Sequence, residues 1–422
     1  MSGRGGKNRK GLKKAVLLGV SHSRGYEVEK SLEELSLLAK SVGIEGVGVF
    51  WQFLSSPLPT YLGSGKLSSV ARYIELYGAD GVITDDELTI VQRSKLEEIL
   101  KVEVLDRTEI ILRAFARSAT TEEGKIEVQL ATLEYTLSHL IRSKNLSRMG
   151  GGIGTVGPGE TKLEMDRRTI KRKITFLREE LERIEKNKMI KKGRRNSSLI
   201  PKVSIAGYTN AGKSMLLKCL SGFDIKSEDK LFTTLDPITR RIWIGENLYA
   251  LFSDTVGFIS KLPAQLVNAF KATLDEIKEA NLILLVADGS DDDVEKKINV
   301  SLEAINEIDA SNVPILKVIN KIDLCSSSRL SMLSRKYDDA IFVSAAKGLY
   351  IDDLITRVRE ELTKDYVPFE GSMEIDKWQK ILNIDGIRIL NFESIDGVIH
   401  AKLKVNSNLL PKIRKIQNVF QA

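Results

Sequence analysis

The chain has 422 residues, with 64 Lys and Arg against 57 Asp and Glu, a formal net charge of +7, two cysteines and three histidines. That length predicts two to four domains, each able to bury its own core. Two cysteines, Cys219 and Cys325, exclude a disulfide framework, and His22, His139 and His400 lack metal-ligand spacing. No apolar run approaches the roughly 18 residues that cross a bilayer. The basic start Met1-Ser-Gly-Arg-Gly-Gly-Lys7 has no signal-type apolar core behind it. The expected location is the cytoplasm, with a peripheral share at a membrane kept as an option.

Residues 1–14 contain six Lys and Arg and no acid, and read as a basic disordered tail. From 15 to 118, strand-like runs at 15–20, 46–51, 80–84 and 102–105 alternate with helical patterns at 27–41, 66–77, 90–100 and 109–117. This alternation predicts a small α/β domain with a mostly parallel sheet. Leu62-Gly-Ser-Gly-Lys66 resembles part of a phosphate loop, but it lacks the four-residue gap and the hydroxyl residue. It reads better as a glycine turn opening a helix.

Residues 119–198 are helical in another way. Ile126, Leu130, Leu133, Leu137 and Leu140 step by 4 and 3, as do Ile170, Ile174, Leu177, Leu181 and Ile184. Two such seams predict an antiparallel helical hairpin. Gly150-Gly-Gly-Ile-Gly-Thr-Val-Gly-Pro-Gly-Glu160 lies between them, with six glycines and a proline in eleven residues, and reads as a loop. Gly152-Ile-Gly-Thr-Val-Gly157 has the form of a dinucleotide fingerprint, yet the preceding 139–148 is basic and polar rather than a strand, so that reading is rejected. Residues 160–195 contain fourteen Lys and Arg against seven acids. Such localised charge suits folded RNA, although a solvated helix face is the plainer meaning of a charge run.

Residues 199–365 carry the chemistry. Gly207-Tyr-Thr-Asn-Ala-Gly-Lys-Ser214 follows the strand-like run 202–206 and opens a helical pattern. A loop of this form turns its backbone N–H groups towards phosphates, with Lys213 on the β- and γ-phosphates and the Ser214 hydroxyl on Mg²⁺. The nucleotide contacts expected here are Gly207, Tyr208, Thr209, Asn210, Ala211, Gly212, Lys213, Ser214 and Met215. Leu231-Phe-Thr-Thr-Leu-Asp-Pro237 reads as a first switch. It offers Phe232 to the nucleotide and Thr234 to Mg²⁺ and the γ-phosphate, with Thr233 as the alternative. Asp254-Thr-Val-Gly257 puts a carboxylate for the Mg²⁺ shell at a strand tip, and the Gly257 N–H near the γ-phosphate.

Asn320-Lys-Ile-Asp323 ends another strand-like run. Asp323 can accept the paired N–H donors that guanine has and adenine lacks, Asn320 can bond N7, and the Lys321 methylenes can cover the ring. Ser344-Ala-Ala-Lys-Gly348 supplies backbone N–H groups near guanine O6, from Ser344, Ala345 and Ala346. In this order the motifs make a Mg²⁺-dependent GTPase, with Lys213, Thr234 and Gly257 catalytic and Ser214, Thr234 and Asp254 on the metal. A general ATPase is opposed by Asp323. Phe258 follows Gly257, and a phenyl ring cannot orient the attacking water. Slow intrinsic hydrolysis, stimulated by a partner, is therefore expected.

Gly150 to Arg168, with Tyr61-Leu-Gly-Ser-Gly-Lys66, Asp106-Arg-Thr108, Gly124-Lys-Ile-Glu-Val-Gln-Leu130, Phe232-Thr-Thr-Leu-Asp-Pro237 and Asp254-Thr-Val-Gly-Phe258, resembles the HflX GTPases over about residues 15 to 365. Val156 departs from that pattern, standing where arginine is expected. The resemblance implies a GTPase of the translation-factor class that binds the large ribosomal subunit and its RNA and helps split stalled or idle ribosomes. It also implies that Phe258 belongs to the family pattern. A GTP-switched regulator of another RNA or protein is the alternative. The expected fold class is α/β and multidomain: tail 1–14, α/β domain 15–118, helical hairpin with glycine-rich loop 119–198, P-loop GTPase domain 199–365, and small C-terminal domain 366–422, in a monomer.

Overall fold

The computed structural model describes residues 12–22, 27–149, 158–193, 200–222, 238–261, 276–384 and 386–417. They divide into two compact units, the first running to Glu182 with Ser260 and Lys261, the second holding the rest. The division groups the 15–118 segment with most of the helical hairpin, and the 199–365 segment with the C-terminal one.

In the first unit, β1 (Lys14–Ser21), β2 (Glu45–Phe53), β3 (Gly81–Thr84) and β4 (Glu103–Asp106) form an all-parallel sheet of order β2-β1-β3-β4. Parallel strands buried on both faces need continuous apolar runs, which is why Ala15 to Leu18 and Val82 to Ile83 are fully buried. The connecting helices are α1 (Glu27–Ser41), α2 (Ser64–Tyr77), α3 (Ile90–Leu100) and α4 (Arg107–Ser118). Gly63, in the glycine turn, is the N-cap of α2. Thr89 with Gln92 and Asp106 with Glu109 form capping boxes that fix the starts of α3 and α4.

Beyond the carboxyl ends of these strands lies a buried ionic cluster. Arg107, 2% exposed, donates to Asp85 at 2.7 Å and to Glu34, and Ser31 donates to Asp85 at 2.7 Å. The long helix α5 (Glu122–Met149) is tied to β4 by the Tyr135 hydroxyl, which donates to Asp106 at 2.5 Å. Helix α6 (Pro158–Gly193) begins inside the segment read as a loop, since proline suits a first helical turn. Arg178 of α6 donates to Glu134 of α5 at 2.6 Å. Ile126, Leu130, Ile174 and Leu177 are buried, and the remaining seam residues are half-buried. Residues 150–157 of the glycine loop lie outside the described residues.

The second unit has a six-stranded sheet of order β10-β9-β8-β5-β7-β6. Its strands are β5 (Lys202–Gly207), β6 (Ile238–Gly245), β7 (Leu248–Asp254), β8 (Leu282–Asp288), β9 (Ile315–Asn320) and β10 (Ile341–Phe342). Only the β6–β7 pair is antiparallel. Its helices are α7 (Lys213–Ser221), α8 (Val294–Glu307), α9 (Ser327–Lys336) and α10 (Ile351–Leu362). Val203, Ile205, Phe252, Leu284, Val286 and Val318 fill the core between sheet and helices. This doubly wound arrangement places the loops after β5, β7, β8 and β9 along the carboxyl edge, where such sheets bind ligands.

The C-terminal part packs α11 (Ile375–Leu382) and α12 (Leu410–Gln417) on an antiparallel sheet of β11 (Val367–Glu374), β13 (Val398–Val405) and β12 (Ile387–Ile395), with β13 central. The β12–β13 hairpin runs to Ile395 and turns at Asp396-Gly397, both with positive φ, as a two-residue turn requires. Strand β11 and helix α11 went unread in the sequence. The Glu246 carboxylate, at the β6–β7 turn, is bound by Arg388 of β12, and its carbonyl accepts from Ile389 N–H at 3.2 Å.

Candidate nucleotide-binding site

The phosphate loop grows out of β5. After Gly207 the chain turns through Asn210, at φ 61°, and Gly212, at φ 91°, before α7 starts. A side chain on Gly212 would stand 2.3 Å from Asn320 Nδ2, so only glycine lets the loop lie against β9. Tyr208, Thr209 and Ala211 are buried, Asn210 is exposed, and Met215 packs against the core below.

Lys213 is buried, and its ammonium donates to the carbonyls of Tyr208 at 2.9 Å and Gly207 at 3.1 Å. Burial pushes its pKa down to about 8, with the Asp254 carboxylate pulling weakly the other way. Such an ammonium gains from an arriving phosphate, which supplies the anionic partner that the carbonyls only imitate. The Ser214 hydroxyl donates to Asp254 at 2.6 Å. A hydroxyl and a carboxylate make a hard oxygen donor pair, the kind Mg²⁺ takes alongside water and phosphate oxygens, so the residues present fit that ion.

The segment after Asp254 runs against the loop. Phe258 N–H donates to Gly207 O at 3.0 Å, and Thr209 N–H donates to Phe258 O at 2.7 Å. A Cβ on Gly257 would come within 2.8 Å of Thr209 Cγ2 and 2.9 Å of Lys213 Nζ. Gly257 therefore sits directly beside the Lys213 ammonium. Phe258 is 4% exposed, its ring in the protein interior.

The base end is assembled by Asn320. Its Nδ2 donates to Ala211 O at 2.9 Å, and its Oδ1 accepts from Ala345 N–H at 3.0 Å, which joins the phosphate loop to the loop after β10. Beside the guanine N7 contact expected from the sequence, the structure shows this bracing role for Asn320. Asp323 is exposed and accepts from the Ser344 hydroxyl at 2.6 Å, which aims the carboxylate. Ala345 is buried and Ala346 is exposed. Lys321, at φ 61°, is held by Asp288 at 2.8 Å.

Asp288 was missed as a positioning residue. Its signal was the Asp288-Gly-Ser290 stop at the end of the apolar run 282–287. The structure thus gathers Gly207 to Met215, Asp254, Gly257, Asn320, Lys321, Asp323 and Ser344 to Ala346 along one edge of the sheet. Phe232, Thr233 and Thr234 lie outside the described residues.

Models of three family regions match the chain: GTP-binding GTPase N-terminal over residues 29–116, GTP-binding GTPase Middle Region over 118–195, and 50S ribosome-binding GTPase over 202–321. The chain is 42% identical over 354 residues to GTPase HflX of Caldanaerobacter subterraneus subsp. tengcongensis, covering 83% of this chain and 81% of that one. It is 38% identical over 353 residues to GTPase HflX of Escherichia coli K12, covering 83% of each. Among solved structures, a GTP-binding protein from the archaeon Sulfolobus solfataricus in complex with GDP is 26% identical, with a TM-score of 0.43, over 84% of this chain and 99% of that one.

Proposed function

The chain belongs to the HflX family of GTP-hydrolysing GTPases, and from that premise we propose that it is a cytoplasmic, monomeric factor that binds the large ribosomal subunit and splits or rescues ribosomes under stress. The observation that carries the reading is the solvent face of α6. Arg168, Lys171, Arg172 and Lys173 are exposed there, beside Met165 at 70% and Phe176 at 61% exposure, while Ile174 and Leu177 face inward. Four cations on one exposed helix surface suit phosphates, and exposed apolar side chains among them suit bases and sugars. Among the described residues, no helix is long and apolar enough to cross a membrane.

In this reading Lys213 neutralises the β- and γ-phosphates, the Gly257 N–H meets the γ-phosphate, and Asp323 reads guanine. Ser214 and Asp254, with Thr234, would hold Mg²⁺, which supplies charge neutralisation on the phosphates when bound. Phe258 offers no group to the attacking water, so hydrolysis on the free protein is slow and the ribosome completes the site.

The test is sedimentation with large subunits at two salt concentrations in a non-hydrolysable GTP analogue, beside single-turnover hydrolysis with and without subunits. Reversing Arg167, Arg168, Lys171 and Arg172 to glutamate should abolish pelleting at the higher salt while GTP binding persists. Variants that pellet like the parent would leave the hairpin as a spacer and refute the RNA assignment.

A further inference from the structure

The β6–β7 hairpin, which lies between the switch segment and Asp254, presents a face that no part of the GTPase chemistry uses. Its outward cross-strand pairs are Thr239 with Ser253, Arg241 with Leu251, and Trp243 with Tyr249. The inward residues Ile242, Ile244, Leu248, Ala250 and Phe252 fill the core. Outward, Trp243 is 60% exposed and Tyr249 37% exposed, and the Arg241 guanidinium lies 4.1 Å over the Tyr249 ring. An indole so exposed on a sheet forfeits much of the burial that a large apolar side chain can gain, so the folded core does not account for it.

We propose that Arg241, Trp243 and Tyr249 form a stacking platform for unpaired bases of single-stranded RNA. Aromatic rings on a sheet surface accept base faces regardless of sequence, and an arginine beside them meets the phosphate. The charge on the hairpin fits a polyanion. Arg240 and Arg241 are exposed on β6, the three outward pairs carry no carboxylate, and the Glu246 carboxylate at the turn is taken up by Arg388 and Arg359. Trp, Tyr and Arg also mark protein-binding hot spots. The one-signed charge on these outward pairs favours nucleic acid, and a protein partner becomes an outcome of the test. The platform shares with the function proposed above only the premise that RNA is the partner, and it uses none of the α6 residues.

The probe is a fluorescein-labelled twelve-nucleotide single-stranded RNA of mixed sequence, titrated by anisotropy against the full-length protein. A 4-thiouridine version is photocross-linked to the parent and the attached peptide identified. Trp243→Ala should weaken binding about fivefold or more, Trp243→Phe should restore most of the loss, and Arg241→Ala should lower the salt slope by about one. GTP binding should be unchanged in all three, which controls for folding. Cross-links should fall on 239–253.

An oligonucleotide that does not bind the parent, cross-links confined to other segments, or a Trp243→Ala protein that binds RNA like the parent each overturn the platform. So does a Trp243→Ala protein that loses large-subunit pelleting but keeps its RNA affinity, because the face then meets a protein. If the parent binds the RNA through Trp243 yet never pellets with large subunits, the ribosome reading fails and the platform stands.

Discussion

Nucleotide binding should weaken as pH rises above 8, because the cation of the phosphate loop loses its proton in the free protein. Burial holds Lys213 at about 8 against its ordinary 10.5. A bound β-phosphate favours the charged form and returns the pKa towards the ordinary value, so binding near pH 8 takes up a proton. With a free-state pKa of about 8, the protonated fraction falls from about 0.9 at pH 7 to about 0.1 at pH 9. The dissociation constant therefore rises about tenfold over those two units, roughly 1.4 kcal/mol. Calorimetric GDP titrations in Mg²⁺-free buffer avoid any metal contribution. Run in buffers of different ionisation enthalpy, they should show uptake of about half a proton at pH 8 and about 0.9 at pH 9. The stability of the free protein moves oppositely. Between pH 8 and 10.5 the unfolded chain keeps a proton that the folded one has released, so stability rises with pH in that window. A dissociation constant flat from pH 7 to 9, with no proton uptake, would refute the account of Lys213.

Asp323→Asn should exchange GTP preference for xanthosine triphosphate, since an amide faces guanine's donors with a donor of its own, a mismatch of about 1–3 kcal/mol; competition titrations measure it. Ser344→Ala removes the hydroxyl that aims Asp323 and should weaken GTP binding by about 1 kcal/mol without changing base choice. Phe258→Ala should leave the intrinsic single-turnover rate within about an order of magnitude, and a larger loss in a protein that still binds GTP would show that the buried ring shapes the catalytic site. Arg107→Met removes the buried guanidinium shared by Asp85 and Glu34, while Asp85 keeps Ser31 and Lys261, and should cost the first unit about 1–3 kcal/mol, read as faster amide exchange in β1 and β3.

What the sequence made legible was the chemistry that depends on adjacent residues. The phosphate loop, Asp254 to Gly257 and Asn320 to Asp323 are each written in a few consecutive positions, because backbone N–H groups, a strand-tip carboxylate and a base-reading carboxylate must each sit at a fixed short step from a strand end. A strand buried on both faces, such as β1, announced itself as an apolar run. Strand β11 did not, because Pro368 and Gly371 interrupt a pattern whose fully buried residues are only Phe369 and Met373.

The positioning contacts were also hidden, and for a different reason. Asn320 reaches Ala211 across 109 positions, and Arg107 reaches Glu34 across 73. No local window contains both partners, so neither residue type nor spacing reveals the pair. The bracing role of Asn320 was hidden for this reason. Its place in a base-reading motif suggested a ligand contact, while the fold uses its amide to brace the phosphate loop against the loop that carries Ser344 and Ala345. A change at Asn320 should then loosen phosphate and base contacts together, whereas a change at Asp323 should act on the base alone. Comparing the affinities of Asn320→Ala and the parent for GTP and for 7-deaza-GTP, which lacks N7, separates the two roles. A bracing residue weakens both ligands equally and also exposes the 207–214 backbone amides to faster exchange.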